Sequence, residues 1–282
     1  MTCYHPLRAA QLRVGEKIRI NPPHAETNMR IPCGKCIGCR AARAAQWGNR
    51  CTHEASCYDH NRFLTLTYND EHLPPNGFLN KRDLSAFLKK LRKKFRNRIR
   101  FFAAGEYGSH TARPHYHVIL FNCRFPDENI IGERRGEPQY ESAKATKWWG
   151  KGQVQIGTVT GASAAYVAQY TVKGSRLPAA SPEGVEATQP FLLMSRRPGI
   201  GQPWLEQFAD DLRHGYLIND GTKTAIPAYY KRKIKEVDPE RHFRLKWEAD
   251  DKRAAAPPQD PRRLRDAETI HKARRAMTEK RS

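Results

Sequence analysis

The sequence predicts an α+β chain: a central antiparallel sheet with helices on one face, joined to a small cysteine-rich module at the N-terminus. Three observations carry this. Residues 63–68 alternate apolar side chains with threonines, and residues 114–121 run apolar over the length of a strand. Leu84, Phe87, Leu88, Leu91 and Phe95 recur at helical spacing. Cys33, Cys36 and Cys39 form two overlapping C-x-x-C steps around Gly34 and Gly38. The resulting order, strand–helix–strand–strand–strand–helix, suits a sheet with helices stacked against it.

At 282 residues the chain can bury one good core, or a core plus a small appended module. The expected division is a zinc module over 1–60, a core over 61–175, an extension over 176–247 and a charged, flexible tail over 248–282. Fifty Lys and Arg against 29 Asp and Glu leave a net charge of +21, which biases partners toward polyanions, nucleic acid first. A membrane is not expected as a partner, since no segment approaches the ~20 apolar residues of a spanning helix. The N-terminus lacks the basic start and apolar core of a signal peptide. Seven cysteines at C-x-x-C spacings fit reduced thiols in a cytoplasm.

In the first module, three close thiolates want a fourth ligand for a tetrahedral, structural Zn²⁺. Cys3 is the expected fourth, with Cys51, Cys57 and His53 as competitors. Residues 40–54 are helix-compatible; Arg40, Arg43 and Arg50 offer phosphate contacts, and Trp47 is a core anchor or a stacking platform. On the strand at 63–68, Thr65 and Thr67 share a face. Pro74-Pro75-Asn76-Gly77 marks a turn. Asp83 is the expected cap of a helix from Leu84 to about Asn97. Ten basic residues against one acid between Lys81 and Arg100 point to a DNA backbone, with Lys89, Lys90, Arg92, Lys93 and Lys94 as contacts, joined by Arg113.

A strand from Ile99 leads to Glu106, and the run Arg113 to Phe121 forms the next. On that strand His115 and His117 point the same way, and a turn through 107–113 brings Glu106 opposite them. Two histidines and one carboxylate with open positions suit a catalytic Mg²⁺ or Mn²⁺ better than a closed zinc site. Residues 122–152 read as an insertion whose Trp148 and Trp149 pack on the sheet. The strand 153–159 then leads into a helix capped by Thr160 or Ser163. Tyr166, Tyr170 and Lys173 fall on one face of that helix. They are either core aromatics with a surface lysine or, beside a metal site, nucleophiles and a phosphate-charge stabiliser. Residues 175–190 read as a loop, 228–233 as a basic-aromatic cluster, and the chain after 248 as flexible or only partly helical.

Phe63-Leu64-Thr65-Leu66-Thr67-Tyr68, His115-Tyr116-His117 and Tyr166-x-x-x-Tyr170 resemble the three ordered motifs of HUH endonucleases that start rolling-circle replication. The nearer resemblance is to the replication initiators of gokushovirus-type Microviridae, single-stranded DNA phages. Cys33–Cys39, Gly105-Glu106-Tyr107-Gly108 and Ser195-Arg196-Arg197-Pro198-Gly199-Ile200-Gly201 are similar to that group too. The resemblance spans residues 3–235. It implies an HUH palm, a relative of the ferredoxin-like fold, and a tyrosine that nicks single-stranded phage origin DNA and keeps the 5′-phosphate. It also implies a second tyrosine that later cuts the regenerated origin and releases a circle. The freed 3′-OH would serve a host polymerase in the host cytoplasm. The sequence holds no G-x-x-x-x-G-K-[ST], so unwinding is expected to need a separate host helicase. A histidine-triad hydrolase is excluded because position 119 is Ile. A non-catalytic zinc protein coating single strands, and a transposase or plasmid relaxase of the same chemistry, are the alternatives.

Overall fold

The computed structural model describes residues 3–11, 16–95, 98–108, 111–134, 136–169, 177–178, 184, 186–219, 221–255 and 260–280. The chain divides into two compact units, residues 1–43 with 240–282, and residues 44–239. Along the chain the elements are β1 (Leu7–Ala10), β2 (Arg19–Ile20), β3 (Met29–Ile31), α1 (Ile37–Ser56), β4 (Asn61–Thr67), α2 (Lys81–Lys94), β5 (Arg100–Tyr107), β6 (Pro114–Phe121), β7 (Asn129–Arg134) and β8 (Glu137–Glu141). They continue with α3 (Ala143–Trp149), β9 (Val154–Gly157), α4 (Gly161–Gln169), β10 (Phe191–Met194), α5 (Gln202–Phe208), β11 (Tyr216–Asn219), β12 (Thr222–Ala225), α6 (Ala228–Val237), α7 (Pro239–Ala254) and α8 (Pro261–Lys280). None of the described helices is long and apolar enough to cross a membrane.

The larger unit is built on a seven-stranded sheet, order β10-β5-β6-β4-β9-β8-β7, in which every pairing is antiparallel. Alternation along each strand sorts its side chains between two faces. Leu64, Leu66, Phe101, Ala103, Tyr116, Val118 and Leu120 face one way and bury against Leu84, Phe87, Leu88 and Leu91 of α2 and Trp149 of α3. Phe102, Ala104, Ile119 and Phe121 face the other way, against Cys51 and Trp47 of α1 and Ala164 and Val167 of α4.

Helices therefore cover both faces, not one. The reason is compositional: β5 is buried at every position and β6 at all but one, so each face offers apolar surface that needs a cover. The insertion after β6 supplies the β7–β8 hairpin and α3, and Trp149 packs on the sheet with its indole N–H donating to the Thr67 carbonyl at 2.8 Å. Asn80, not Asp83, caps α2, accepting the Arg82 N–H at 3.0 Å. Asp83 falls in the first turn, where a carboxylate favours the helix dipole, and its side chain accepts the Tyr68 hydroxyl at 2.8 Å.

In the smaller unit, β1 pairs with both β2 and β3. The stretch after 248, expected to be flexible or only partly helical, carries the 20-residue α8. Its start is well specified: Asp260 accepts the Arg262 N–H at 2.9 Å and Pro261 stands first, where no N–H is needed. Its buried Glu268 meets His5 at 2.8 Å, and His271 meets the Tyr4 hydroxyl at 2.9 Å.

The segment 198–201 is held tightly within the larger unit. The Arg100 guanidinium pairs with Glu54 and donates to the carbonyls of Pro198 and Gly199, while Glu54 also accepts the Gly201 N–H at 2.6 Å. Gly201 has φ +79°, and a Cβ there would overlap the Tyr230 hydroxyl. Gly77 has φ +65° with open space around it. Gly77→Ala is expected to cost about 1–2 kcal/mol, the left-handed penalty alone. Gly201→Ala should cost clearly more, since Tyr230 must also move. Urea unfolding of the two variants checks this, and equal losses would contradict the packing argument.

Candidate active site and metal centres

Register builds the first site. Pairing of β5 with β6 sets Glu106 opposite His115 and Ala104 opposite His117, and β4 lies alongside with Thr65 opposite His117. Glu106 Oε1 lies 2.7 Å from His115 Nε2 and 2.9 Å from His117 Nε2. The far nitrogens are held too. His115 Nδ1 is 3.2 Å from the Arg113 carbonyl and His117 Nδ1 is 3.2 Å from Thr65 Oγ1. A carbonyl only accepts, so His115 Nδ1 carries the proton. Its Nε2 then faces a carboxylate oxygen, which is favourable only if Nε2 is also protonated or a cation stands between them.

Glu106 and His117 are each 5 % exposed. Burial works to raise the Glu106 carboxyl, but hydrogen bonds from His115 and His117 outweigh it and hold the group below the usual carboxylate range. Phe63 stacks on the His117 ring at 5.6 Å between centroids. On the preceding residue pair, Gly105 leaves room for the Phe191 ring, which a Cβ would approach to 2.9 Å.

Tyr166 stands edge-on to His117, ring centroids 5.2 Å apart, and is 40 % exposed. The start of α4 sets its position. Thr160 Oγ1 accepts the Ser163 N–H at 3.1 Å and Ser163 Oγ accepts the Thr160 N–H at 2.8 Å, so both predicted caps act together. Ala164 and Val167 anchor the helix on the sheet, leaving Tyr166 beside the histidines. Tyr170 and Lys173 lie outside the described residues.

The second centre lies in the smaller unit. The sulfurs of Cys3, Cys33, Cys36 and Cys39 all fall within 4.8 Å of one another, with Cys33–Cys39 and Cys36–Cys3 at 4.0 Å. Four thiolates on a tetrahedral zinc, at about 2.3 Å each, stand about 3.8 Å apart. Backbone N–H groups aim at the sulfurs: Cys33 at Cys3, Cys36 at Cys33, and both Cys39 and Tyr4 at Cys36. Burial would raise the Cys36 thiol, yet the amides of Cys39 and Tyr4 bring it down to about 6. The other residues considered for the fourth position have different surroundings. Cys51 is fully buried in the core of the larger unit, and Cys57 Sγ donates to the His53 carbonyl. His53 is stacked on Trp204, 3.0 Å from the Tyr230 hydroxyl, and burial pushes it down to about 4.

The family model for the replication-associated protein ORF2 matches residues 61–175. The replication-associated protein VP4 of Bdellovibrio phage phiMH2K is 33 % identical over 256 residues, covering 86 % of this chain and 79 % of its own length. Replication-associated protein ORF2 of Spiroplasma virus 4 is 34 % identical over 264 residues, covering 83 % and 80 %. The chain belongs to this family of viral replication-associated proteins. A further relative, ORF4 of Chlamydia phage 1, is 32 % identical over 152 residues, covering 51 % of this chain and 38 % of its own. No solved structure matches. The family match takes in both strands of the Glu106–His115–His117 site, the neighbouring β4 and the tyrosine helix.

The basic residues are placed less simply. Lys89, Lys90, Arg92, Lys93 and Lys94 are exposed on α2, which covers the face opposite the histidines. Lys90 donates to the Trp148 carbonyl, and Arg92 lies over the Phe101 ring. Arg113 pairs with Asp70 at 2.7 Å and donates to the Tyr68 carbonyl. Two contributors to the site are not assigned by the sequence: the Thr65 hydroxyl and the Arg113 carbonyl. Thr65 does carry a signal, because its alternation puts it on the histidine face once β4 and β6 are paired.

Tyr68 and Tyr116 are buried on the opposite face, their hydroxyls 2.8 Å apart, and Tyr116 Oη also accepts the Asn80 N–H at 3.0 Å. Burial raises both, Tyr116 to about 12. Removing the Tyr116 hydroxyl leaves these partners unsatisfied, so Tyr116→Phe is expected to lose about 1–3 kcal/mol of stability. Tyr166→Phe should stay within about 0.5 kcal/mol. Chemical denaturation of both variants tests the separation; a reversed order would make Tyr166 the structural residue.

Proposed function

We propose that the chain initiates replication by nicking single-stranded origin DNA, through tyrosine transesterification of the HUH class, and later rejoins the ends into a circle. One observation carries the reading: two imidazole nitrogens and a carboxylate oxygen converge on the sheet face that also presents an exposed tyrosine, Tyr166, against His117. The antiparallel sheet with histidines on an interior strand supports the HUH palm as its fold.

The donor set fits a divalent metal. Ligands at about 2.1 Å in neighbouring octahedral positions lie about 3 Å apart, close to the 2.7 and 2.9 Å separations here. A Mg²⁺ or Mn²⁺ held by Glu106, His115 and His117 would draw charge from a phosphate oxygen and ease attack at phosphorus. Thr65 and the Arg113 carbonyl fix the outward nitrogens, which keeps both Nε2 atoms directed at one point.

The chemistry proposed for the tyrosine is a balanced exchange. Its oxygen forms a bond to phosphorus, its proton passes to solvent, the P–O3′ bond breaks, and the leaving 3′-oxygen takes up a proton. No water is consumed, so the phosphodiester is conserved as a 5′-phosphotyrosine and a 3′-OH can reverse the step. Tyr166 makes the first or the second cut, Tyr170 the other, and Lys173 steadies the phosphorane charge. The freed 3′-OH serves a host polymerase in the host cytoplasm, with a host helicase opening the duplex. Cys3, Cys33, Cys36 and Cys39 hold a structural Zn²⁺, supported by the sulfur spacing and the amide donors.

His115→Ala and His117→Ala are each expected to abolish adduct formation while single-strand binding stays largely intact, because phosphate contacts come mostly from Lys and Arg. Excess EDTA should do the same. Each single Tyr→Phe change at 166 or 170 should retain some cleavage but impair circle closure, and the double change should give no covalent adduct. Mass spectrometry of adduct peptides decides it: an adduct on Tyr68, Tyr116 or a serine would refute the mechanism.

For the cysteines, elemental analysis is expected to find one zinc per chain, with Cys36→Ser lowering both zinc content and melting temperature. A folded, active, zinc-free protein would rule the structural role out.

A further inference from the structure

A second basic site lies at the other end of β5 from Glu106. A cleft of about 520 Å³ is lined by Arg92, Phe95, Arg98, Ser195, Arg196 and Arg197, with Ile99 and Arg100 beneath. Arg100 is internally committed, to Glu54 and to the carbonyls of Pro198 and Gly199. Arg92, Arg98, Arg196 and Arg197 are exposed, and among the described residues no carboxylate lines the cleft.

Four guanidinium groups around one concavity repel each other unless an anion is present. An ordinary solvated face intersperses acids and spreads its charges over a convex surface. This one is built. Arg98 donates to the Arg197 carbonyl at 2.6 Å, tying one wall to the other, and the N–H of Ser195 donates to the Phe101 carbonyl at 2.9 Å. Ser195 Oγ accepts the Phe101 N–H at 3.1 Å, leaving its O–H to donate. The arginine loop is thereby an extension of the β5–β10 ladder. Guanidinium forks and a hydroxyl donor match phosphate oxygens.

We infer that this cleft is a second phosphate-binding subsite, gripping the DNA strand away from the step that is cut. The inference rests on the reading that the chain acts on single-stranded DNA. Arg100 and Glu106 are six residues apart on one strand, about 20 Å at about 3.3 Å per residue. A phosphate in the cleft is therefore not the scissile one; the two are separated by roughly six nucleotides at about 3.4 Å each. The Ser195–Arg197 stretch, which the nicking chemistry does not use, thus sets where the flanking strand lies. Arg92 joins it there, drawing the basic end of α2 into the same grip.

The test uses the full chain with oligothymidylate of about 30 nucleotides, binding followed by fluorescence anisotropy across a salt series without added divalent metal. Arg196→Gln/Arg197→Gln should weaken binding roughly tenfold at moderate salt, and the slope of log K against log salt should fall by about 1.4, two contacts at about 0.7 each. Arg92→Gln should reproduce about half of that change. Arg124→Gln/Arg213→Gln removes the same charge at exposed positions outside the cleft and should leave the slope nearly unchanged. Equal effects of the two double variants would overturn the subsite in favour of general charge. Inorganic triphosphate binding that disappears in the cleft variant while oligothymidylate affinity holds would overturn it in favour of a small anion. Because no cleavage is measured, failure of the nicking mechanism would leave this result readable.

Discussion

The pairing register of β5 with β6 is the constraint on which the rest of the larger unit depends. It sets Glu106 opposite His115. With a side-chain period of two, a slip of one residue would turn both histidines into the α2-side core and bring Tyr116 to the other face. The two faces specify the register jointly. On one, Tyr116 Oη must meet Tyr68 and Asn80; on the other, three polar groups must meet each other. Each alternative register would bury several unpaired polar groups among apolar side chains, at a cost of a few kcal/mol apiece.

Burial gives the site its chemistry. Glu106 and His117 are almost inaccessible, yet Tyr166 beside them is open, so a substrate phosphate approaches from one side only. The groups behind the histidines take up their outward nitrogens and leave the inward pair directed at the carboxylate. The cysteine cluster follows the same logic with other atoms: amide donors behind the sulfurs favour the thiolate form that a cation requires.

The sites are legible in the sequence because their spacing is local. H-x-H on a strand fixes a shared face, three cysteines at C-x-x-C steps fix a knuckle, and Thr160 and Ser163 both announce the start of α4. What depends on tertiary context is harder to read. Helices on both faces follow from the near-continuous apolar character of Phe101 to Ala104 and Val118 to Phe121, a pattern that marks strands buried on two sides. The sequence points three residues too late for the cap of α2 because Asp83, a good cap in isolation, is claimed by Tyr68. Helix α8 lacks an apolar stripe, and its formers, Ala, Arg and Glu, read as a charged tail until Asp260 and Pro261 are recognised as its start.

The placement of positive charge follows from the same sheet. The outer face of α2 is basic, but α2 covers the side away from the histidines, so a strand held at the triad does not run along that helix at once. The two regions communicate through β5, whose ends carry opposite duties. At one end Glu106 faces the histidines; at the other Arg100 is locked to Glu54 and to the carbonyls before Gly201. Because those internal bonds immobilise residues 198–201, the neighbouring Arg196 and Arg197 are presented from a fixed base rather than from a loose loop. Rigid presentation matters for arginine in particular: the fork loses little entropy on meeting a phosphate only if its backbone is already ordered. A single strand of the sheet thus sets both the point of chemistry and the distance at which the remaining charge can act on the same polyanion.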